Sequence, residues 1–377
     1  MNEIEVDGIS GIGKKTKARA ITIKNTAIGD IAFPHRALTP TDLNHANSVI
    51  AVSKTLTIPF ISQIYGINRD YSKVKLDAIA KGKSKFEQEM EAIIERANRK
   101  DKVFKFLIPN IDQKIPITDA HDDQLIMLQA GLNEIDIFDS SHMGVQELET
   151  RIRRDVKLIK EFDGEKVIAV RINTKQRSVM LEKKLKLIYG TEEIGKISTP
   201  YMNPDYAYDK LTLFRNYANK PKWVHMSGIP KRATDGKTSM AHVLAMFGID
   251  SISLRTHKPF EPDHILNVNR SNWRTGAYLD FPNEHRQRYN ESLDCMVDCP
   301  PDHDKKVEDI MNEYSPEERL SEVRVHEAYE TQYGFWETRM KILGEHGELF
   351  KLYKSREFLR RYFEGLEGID FKARPMV

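Results

Sequence analysis

The stretch EIDIFDSSHMGVQELETRIRRDVKLIKEFDGEKVIAVRIN, residues 134–173, decides the fold. EIDIFDSS is a short apolar strand pattern that ends at Ser141. VQELETRIRRDVKLIKEF follows with Val145, Leu148, Ile152, Val156 and Ile159 at helical spacing. KVIAVRIN is the next strand and ends at Asn173. Strand, helix and strand in this order form a crossover unit, which makes the two strands parallel.

The alternation continues downstream. SVMLEKKLKLIYG is a helix with a stop at Gly190, and EIGKISTPY is a weaker strand. DYAYDKLTLFRNYANKP is a helix with Asp205 as its expected cap, followed by the strand KWVHMSG. SMAHVLAMFG is a helix ending at Gly248, and IDSISLR is a strand. Upstream, AIGDIAFP (27–34), NSVIAVS (47–53) and KVFKFLIPN (102–110) supply three further strand patterns. Eight parallel strands with interleaved helices close into a (β/α)8 TIM barrel. The alternative is an open doubly wound sheet, but no glycine-rich phosphate loop follows an early strand. GISGIGKKTK (8–17) has the glycines without a strand before it, and reads as a flexible basic arm. The expected organisation is a basic arm over 1–26, the barrel over 27–260, and a cysteine loop with C-terminal helices over 261–377.

Bulk composition agrees with a globular α/β protein. The chain has 377 residues, 40% hydrophobic and 30% charged, with a net charge of +2. No apolar run approaches the ~18 residues of a membrane span. The start MNEIEVDGIS lacks the basic and apolar segments of a secretory signal. Two cysteines argue against a disulfide framework and make a reducing cytoplasm the expected compartment. The charge balance does not announce nucleic acid, although a basic face can hide inside it.

In a barrel the chemistry sits at the carboxyl ends of the strands. There the sequence offers Asp139, Ser140 and His142, then Arg171 and Asn173, Thr199 and Tyr201, His225, Ser227 and Gly228, and finally Ser253 and Arg255. Asp139 accepts hydrogen bonds and Asn173 both donates and accepts, which suits a flat ligand such as a purine edge. The competing reading is that these residues only cap strands and hydrate the rim. His225 lies within an apolar strand and reads as a satisfied core or rim histidine. Met226, Met240 and Met246 read as core filler.

Beyond residue 255 the chain turns polar and long-looped. ESLDCMVDCPPDHDK (291–305) holds both cysteines, Cys295 and Cys299, with His303 one more x3 step on. His326 lies 27 residues past Cys299 (326 − 299 = 27), early in a helical pattern that starts at Ser315 and Pro316. Two thiolates and two imidazoles are a donor set for a closed, structural zinc site. Asp298 or Asp302 can stand in for His303, and the bland alternative is two free thiols.

This order of parts resembles the tRNA-guanine transglycosylase superfamily, including its DNA-acting branch that inserts 7-deazaguanines. PKWVHMSGIPKR and FGIDSISLR look like the family's last two barrel strands, and RSNWRTGAYLDF is similar to the basic loop that follows them. IFDSSHMG stands where the family keeps a base-recognising aspartate, and RIN where it keeps a base-contacting amide. The resemblance implies guanine exchange in DNA or tRNA by a pentosyltransferase. Base binding would fall to Asp139, Asn173, Ser227, Gly228 and Ser253, and backbone binding to Arg270, Arg274, Arg286 and Arg288, with Trp273 or Tyr278 for stacking. Asp139 and Asp250 are the catalytic candidates. Its partners would be nucleic acid and a 7-deazaguanine base, with no membrane, and the active form a homodimer or heterodimer.

Departures from the family are equally specific. Ser253 occupies the place of the family's nucleophilic aspartate, and Asp250 lies three residues earlier, where strand alternation turns it to the other side. Asn110 and Asp112 are the nearest polar candidates after the third strand, ISTPY replaces a glycine-rich turn, and one zinc cysteine is missing. Two alternatives therefore stand beside base exchange: a non-catalytic binding relative or partner subunit, and an unrelated barrel enzyme acting on a small molecule.

Overall fold

The computed structural model describes residues 3–10, 16–26, 28–39, 63–98, 103–229, 240–254, 287–290, 295–298, 332, 334–344, 349 and 351–352. Within them the chain is mixed α/β, with a parallel sheet and helices. The strands are β1 (Ile4–Ser10), β2 (Ala18–Thr26), β3 (Gly29–Phe33), β4 (His35–Arg36), β5 (Ile64–Tyr71), β6 (Phe104–Ile111), β7 (Glu134–Phe138), β8 (Val167–Arg171), β9 (Ile194–Pro200), β10 (Trp223–Ile229), β11 (Ser251–Leu254), β12 (Gln287–Asn290) and β13 (Cys295–Asp298). The helices are α1 (Lys73–Lys81), α2 (Lys83–Asn98), α3 (Asp119–Gln129), α4 (Val145–Ile159), α5 (Ser178–Gly190), α6 (Pro204–Asn216) and α7 (Met240–Ala245).

The 134–173 unit forms as its periodicity dictates, with β7 and β8 parallel and α4 between them in the chain. Leu148, Ile152, Val156 and Ile159 of α4 are buried in one cluster with Ile135 and Ile137 of β7. The first turn of α4 is closed by Glu147, whose carboxylate accepts the Gly144 N–H at 2.6 Å. Gly248, after α7, has φ +78, a conformation that favours glycine and lets the chain reverse into β11.

Six strands form one parallel sheet in the order β4-β11-β10-β9-β8-β7. A second parallel pair joins β5 and β6. Leu38, just past β4, makes a parallel bridge to Tyr65 of β5. At the other side of that pair, Asn133 donates its N–H to the Lys105 carbonyl at 3.0 Å, and Lys105 donates back to Asn133 Oδ1 at 2.8 Å.

Two faces separate cleanly along these strands. Ile135, Ile137, Ile168, Val170, Ile197, Val224, Met226 and Ile252 pack with the helices, as fully buried parallel strands require. The alternate residues carry polar and aromatic groups. Lys196 Nζ lies 2.6 and 2.7 Å from the two Glu134 oxygens, and stands 3.8 Å over the Phe106 ring and 3.9 Å over the Trp223 ring. A Cβ on Gly66 would come within 2.2 Å of Ile108 Cδ1, so any larger residue there would displace the Ile108 side chain from the core.

The N-terminal segment differs from its sequence reading. In place of a flexible arm over 1–26, β1, β2 and β3 form an antiparallel sheet. Ile21, Ile23, Ile31 and Phe33 join Ile64, Phe104, Phe106 and Trp223 in a single core. The 27–34 strand pattern is realised as β3 but pairs antiparallel with β2, and the parallel strand comes next, at β4. NSVIAVS (47–53) lies outside the described residues. Helix α6 begins at Pro204, so Asp205 falls inside its first turn and is not its cap.

A helical segment, 334–343, fastens this end. Arg339 donates to the carbonyls of Ile21 at 2.9 Å and Phe33 at 2.8 Å and pairs with Asp7 at 2.7 Å. Gln332 meets His35 Nδ1 at 2.8 Å. Burial pushes the His35 pKa down to about 3. Between that value and the ordinary ~6.5 the unfolded chain binds the extra proton, so stability rises with pH and is lost on acidification, at up to about 1.4 kcal/mol per pH unit. Denaturant titrations from about pH 7 to pH 4 should show that slope in the wild type and a flatter one in His35→Gln.

Candidate functional site at the carboxyl ends of the strands

Asp139 follows directly on β7, where its N–H donates to the Arg171 carbonyl at 3.0 Å. Its carboxylate accepts from Lys184 Nζ at 2.6 Å, from the Asn173 N–H at 3.1 Å and from Gln176 Nε2 at 3.4 Å. Burial raises its pKa, and Lys184 opposes that rise. Lys184 itself is buried on α5, a position with nothing in the local sequence to mark it.

Asn173 is engaged in the same way. Its Nδ2 donates to the Gln113 carbonyl at 2.8 Å and its Oδ1 accepts the Lys175 N–H at 2.8 Å. Gln113 Oε1 in turn accepts from Thr174 N at 2.7 Å. The turns after β6 and β8 are thereby stitched together. Between them lies a shallow cleft whose lining includes Ile111, Gln113, Asp139, Arg171, Asn173 and Pro200.

Arg171 is the cation of this cleft. Its side chain is 11% exposed, its Nη2 donates to Ser227 Oγ at 3.1 Å, and its Nη1 stands 3.9 Å from Asp136. Burial lowers its pKa, and Asp136 and Glu134 oppose that effect. A guanidinium has five N–H donors, and among the described residues Ser227 takes one of them, so Arg171 can serve a carbonyl or anionic ligand group. Beneath it both Asp136 oxygens are buried without a well-formed hydrogen bond among the described residues, with Ser198 alongside.

Ser227 and Ser253 stand side by side in the β10–β11 register, and Gly228 follows with φ +76. Ser253 Oγ lies 3.3 Å from His225 Nε2, and Ser251 Oγ lies 2.7 Å from His225 Nδ1. Burial, reinforced by the Lys196 and Arg171 charges, pushes the His225 pKa far down. The imidazole is neutral and shares one donor and one acceptor between two hydroxyls. His225 is thus a satisfied interior histidine, as its apolar setting suggests.

Asp250 is not in this group. It precedes β11 and lies at the amino end of the sheet, where its N–H donates to the Val224 carbonyl at 2.9 Å. Its carboxylate accepts from Arg19 Nε at 2.7 Å, from Arg19 Nη2, and from the Val224 N–H at 2.6 Å. Both oxygens are engaged and the side chain is fully buried, so its expected role as nucleophile gives way to a structural one. The geometry thus joins Asp139, Asn173, Ser227, Gly228 and Ser253 at one end of the sheet and separates Asp250 from them.

Of the expected zinc ligands, Cys295 lies on β13, opposite Asn290 of β12 in an antiparallel pair. Cys299, His303 and His326 lie outside the described residues, as do Arg270, Arg274, Arg286, Trp273 and Tyr278. Arg288 lies on β12. Among the described residues no cluster of metal-ligating side chains occurs, and no helix is long and apolar enough to cross a membrane.

The chain matches no family model. A search of curated proteins also returns no match.

Removing one partner of a buried ion pair strands the other charge, at a cost of about 3–5 kcal/mol. Asp250→Ala and Arg19→Met should each lose stability on that scale in urea unfolding. The double variant Arg19→Met/Asp250→Leu should recover part of the loss.

Proposed function

We propose that the eight parallel strands close into a (β/α)8 barrel whose carboxyl-end cleft holds a nucleobase of DNA or tRNA and exchanges guanine for a 7-deazaguanine. Support for closure comes from the pairing order: each parallel strand neighbours the next in the chain, β4 pairs with β11, and a pair of hydrogen bonds bridges the β4 end to β5 and another β6 to the start of β7. The observation that carries the functional reading is the meeting of Asp139, Asn173 and Arg171 around one cleft. Asp139 and Asn173, already bonded to Lys184, Gln113 and Lys175, each keep part of their hydrogen-bonding capacity for a flat, polar base edge beside Arg171, and enzymes acting on a base take it out of its stack into such a pocket. Arg270, Arg274, Arg286 and Arg288 would hold the phosphates.

A specific observation favours a second reading, a binding relative without catalysis. Asp250 is locked by Arg19, and a serine, Ser253, stands at the place the resemblance reserves for the nucleophile. Release of labelled guanine from tRNA and duplex DNA, assayed in parallel with a 7-deazaguanine base present, decides between them. Base exchange predicts release from one polymer at least, whereas binding with no release supports the relative.

Cys295, Cys299, His303 and His326 would hold a structural zinc ion, a donor set of two thiolates and two imidazoles that suits tetrahedral coordination. Its chemistry would be to pin the cysteine loop to the C-terminal helical region. Elemental analysis should find about one zinc per chain and its loss in Cys295→Ser/Cys299→Ser. A metal-free wild type would remove this site and favour a small-molecule barrel enzyme.

A further inference from the structure

Along β5 and β6 the even-numbered residues face the interior. Ile64, Phe104, Phe106 and Ile108 share a core with Trp223, whereas Tyr65, Ile67 and Leu107 share another with α1, α2 and α3. The same alternation carries Asn68, Asp70 and Asn110 toward the carboxyl-end mouth. Asp70 and Asn110 are register partners, and Asn110 Nδ2 donates to Asp70 Oδ1 at 3.1 Å. One layer below, Asn68 Nδ2 is buried without a hydrogen-bond partner among the described residues.

Other carboxylates of the parallel strands are committed elsewhere. Glu134 is held by Lys196, Asp139 by Lys184 and Asp250 by Arg19, while Asp136 is sealed in the interior. Asp112 lies past the end of β6, in the loop that lines the cleft, with its Oδ1 on the Lys114 N–H at 3.0 Å, whereas Asp70 is held on a strand. Asp70 is exposed, and its only partner among the described residues is a neutral amide.

We propose that Asp70 is the nucleophile of this chain, an assignment that rests on the base-exchange reading above. Asn110 orients Oδ1 and leaves Oδ2 for the sugar. Oδ2 forms a bond to C1′ as the C1′–N9 bond of guanosine breaks, and the bonding pair goes to N9. Guanine takes up a proton there and leaves. The N9 of the incoming 7-deazaguanine then attacks C1′, gives up its own proton, and expels the carboxylate. One proton is taken up and one returned, so neither oxidant nor reductant enters, as in carboxylate catalysis at other anomeric centres.

The experiment incubates the full chain with guanine-labelled tRNA and duplex DNA, follows guanine release, and maps any covalent adduct by peptide mass spectrometry. The expected result is an adduct on the peptide carrying Asp70. Asp70→Ala and Asp70→Asn should lower guanine release at least about a thousandfold, with nucleic-acid binding and melting temperature unchanged. An adduct on another residue, or release that survives in folded Asp70→Asn, overturns the assignment while leaving base exchange intact. No release by the wild type overturns base exchange and the assignment with it.

Discussion

The ion pair between Arg19 and Asp250 is the constraint on which the described structure turns. Burying a guanidinium and a carboxylate is tolerable only when every donor and acceptor finds a partner. Here Arg19 directs hydrogen bonds to both Asp250 oxygens and to the carbonyls of Ala218, Lys220 and Lys222. Those five bonds exhaust its donors. They also fasten β2 to the entrances of β10 and β11, so the antiparallel N-terminal sheet cannot leave the parallel one without stranding two charges.

Polar saturation falls from that end of the strands to the other. Arg19 is complete, and the Glu134–Lys196 pair is closed and sandwiched by two aromatic rings. One layer up, Asp136 lacks a well-formed hydrogen bond and Asn68 Nδ2 lacks any partner among the described residues. At the mouth, among the described residues, Arg171 uses one donor on Ser227 and Asp70 meets an amide alone. Buried polar groups left open are costly in a resting fold. Asp136 lies directly beneath Arg171 and the carboxyl-end cleft, which is the physical ground for locating ligand chemistry there.

Legibility followed the strength of local periodicity. From Glu134 to Leu254 each strand and helix could be read, because apolar residues recur at clean intervals of two or of three and four. At the N-terminus the alternation in IEVDGIS was present too, but the glycines and lysines that follow outweighed it and suggested an arm. Asp70 escaped because the helices that set its strand apart, α1 and α2, are rich in charge and weak in apolar pattern. Lys184 carries no sequence mark at all, since its partner Asp139 lies on a different element.

By itself, the amino-acid sequence determined the α/β class, the succession of parallel strands from β6 to β11, and the polar residues that end them, because all three depend on neighbours in the chain. Tertiary structure alone decided which carboxylates are spent and which are open. Whether Asp250, Asp139 or Asp70 is free depends on Arg19, Lys184 and Asn110, partners 231, 45 and 40 residues away. No local pattern encodes such pairings, since they are set by how strands distant in the chain are brought side by side.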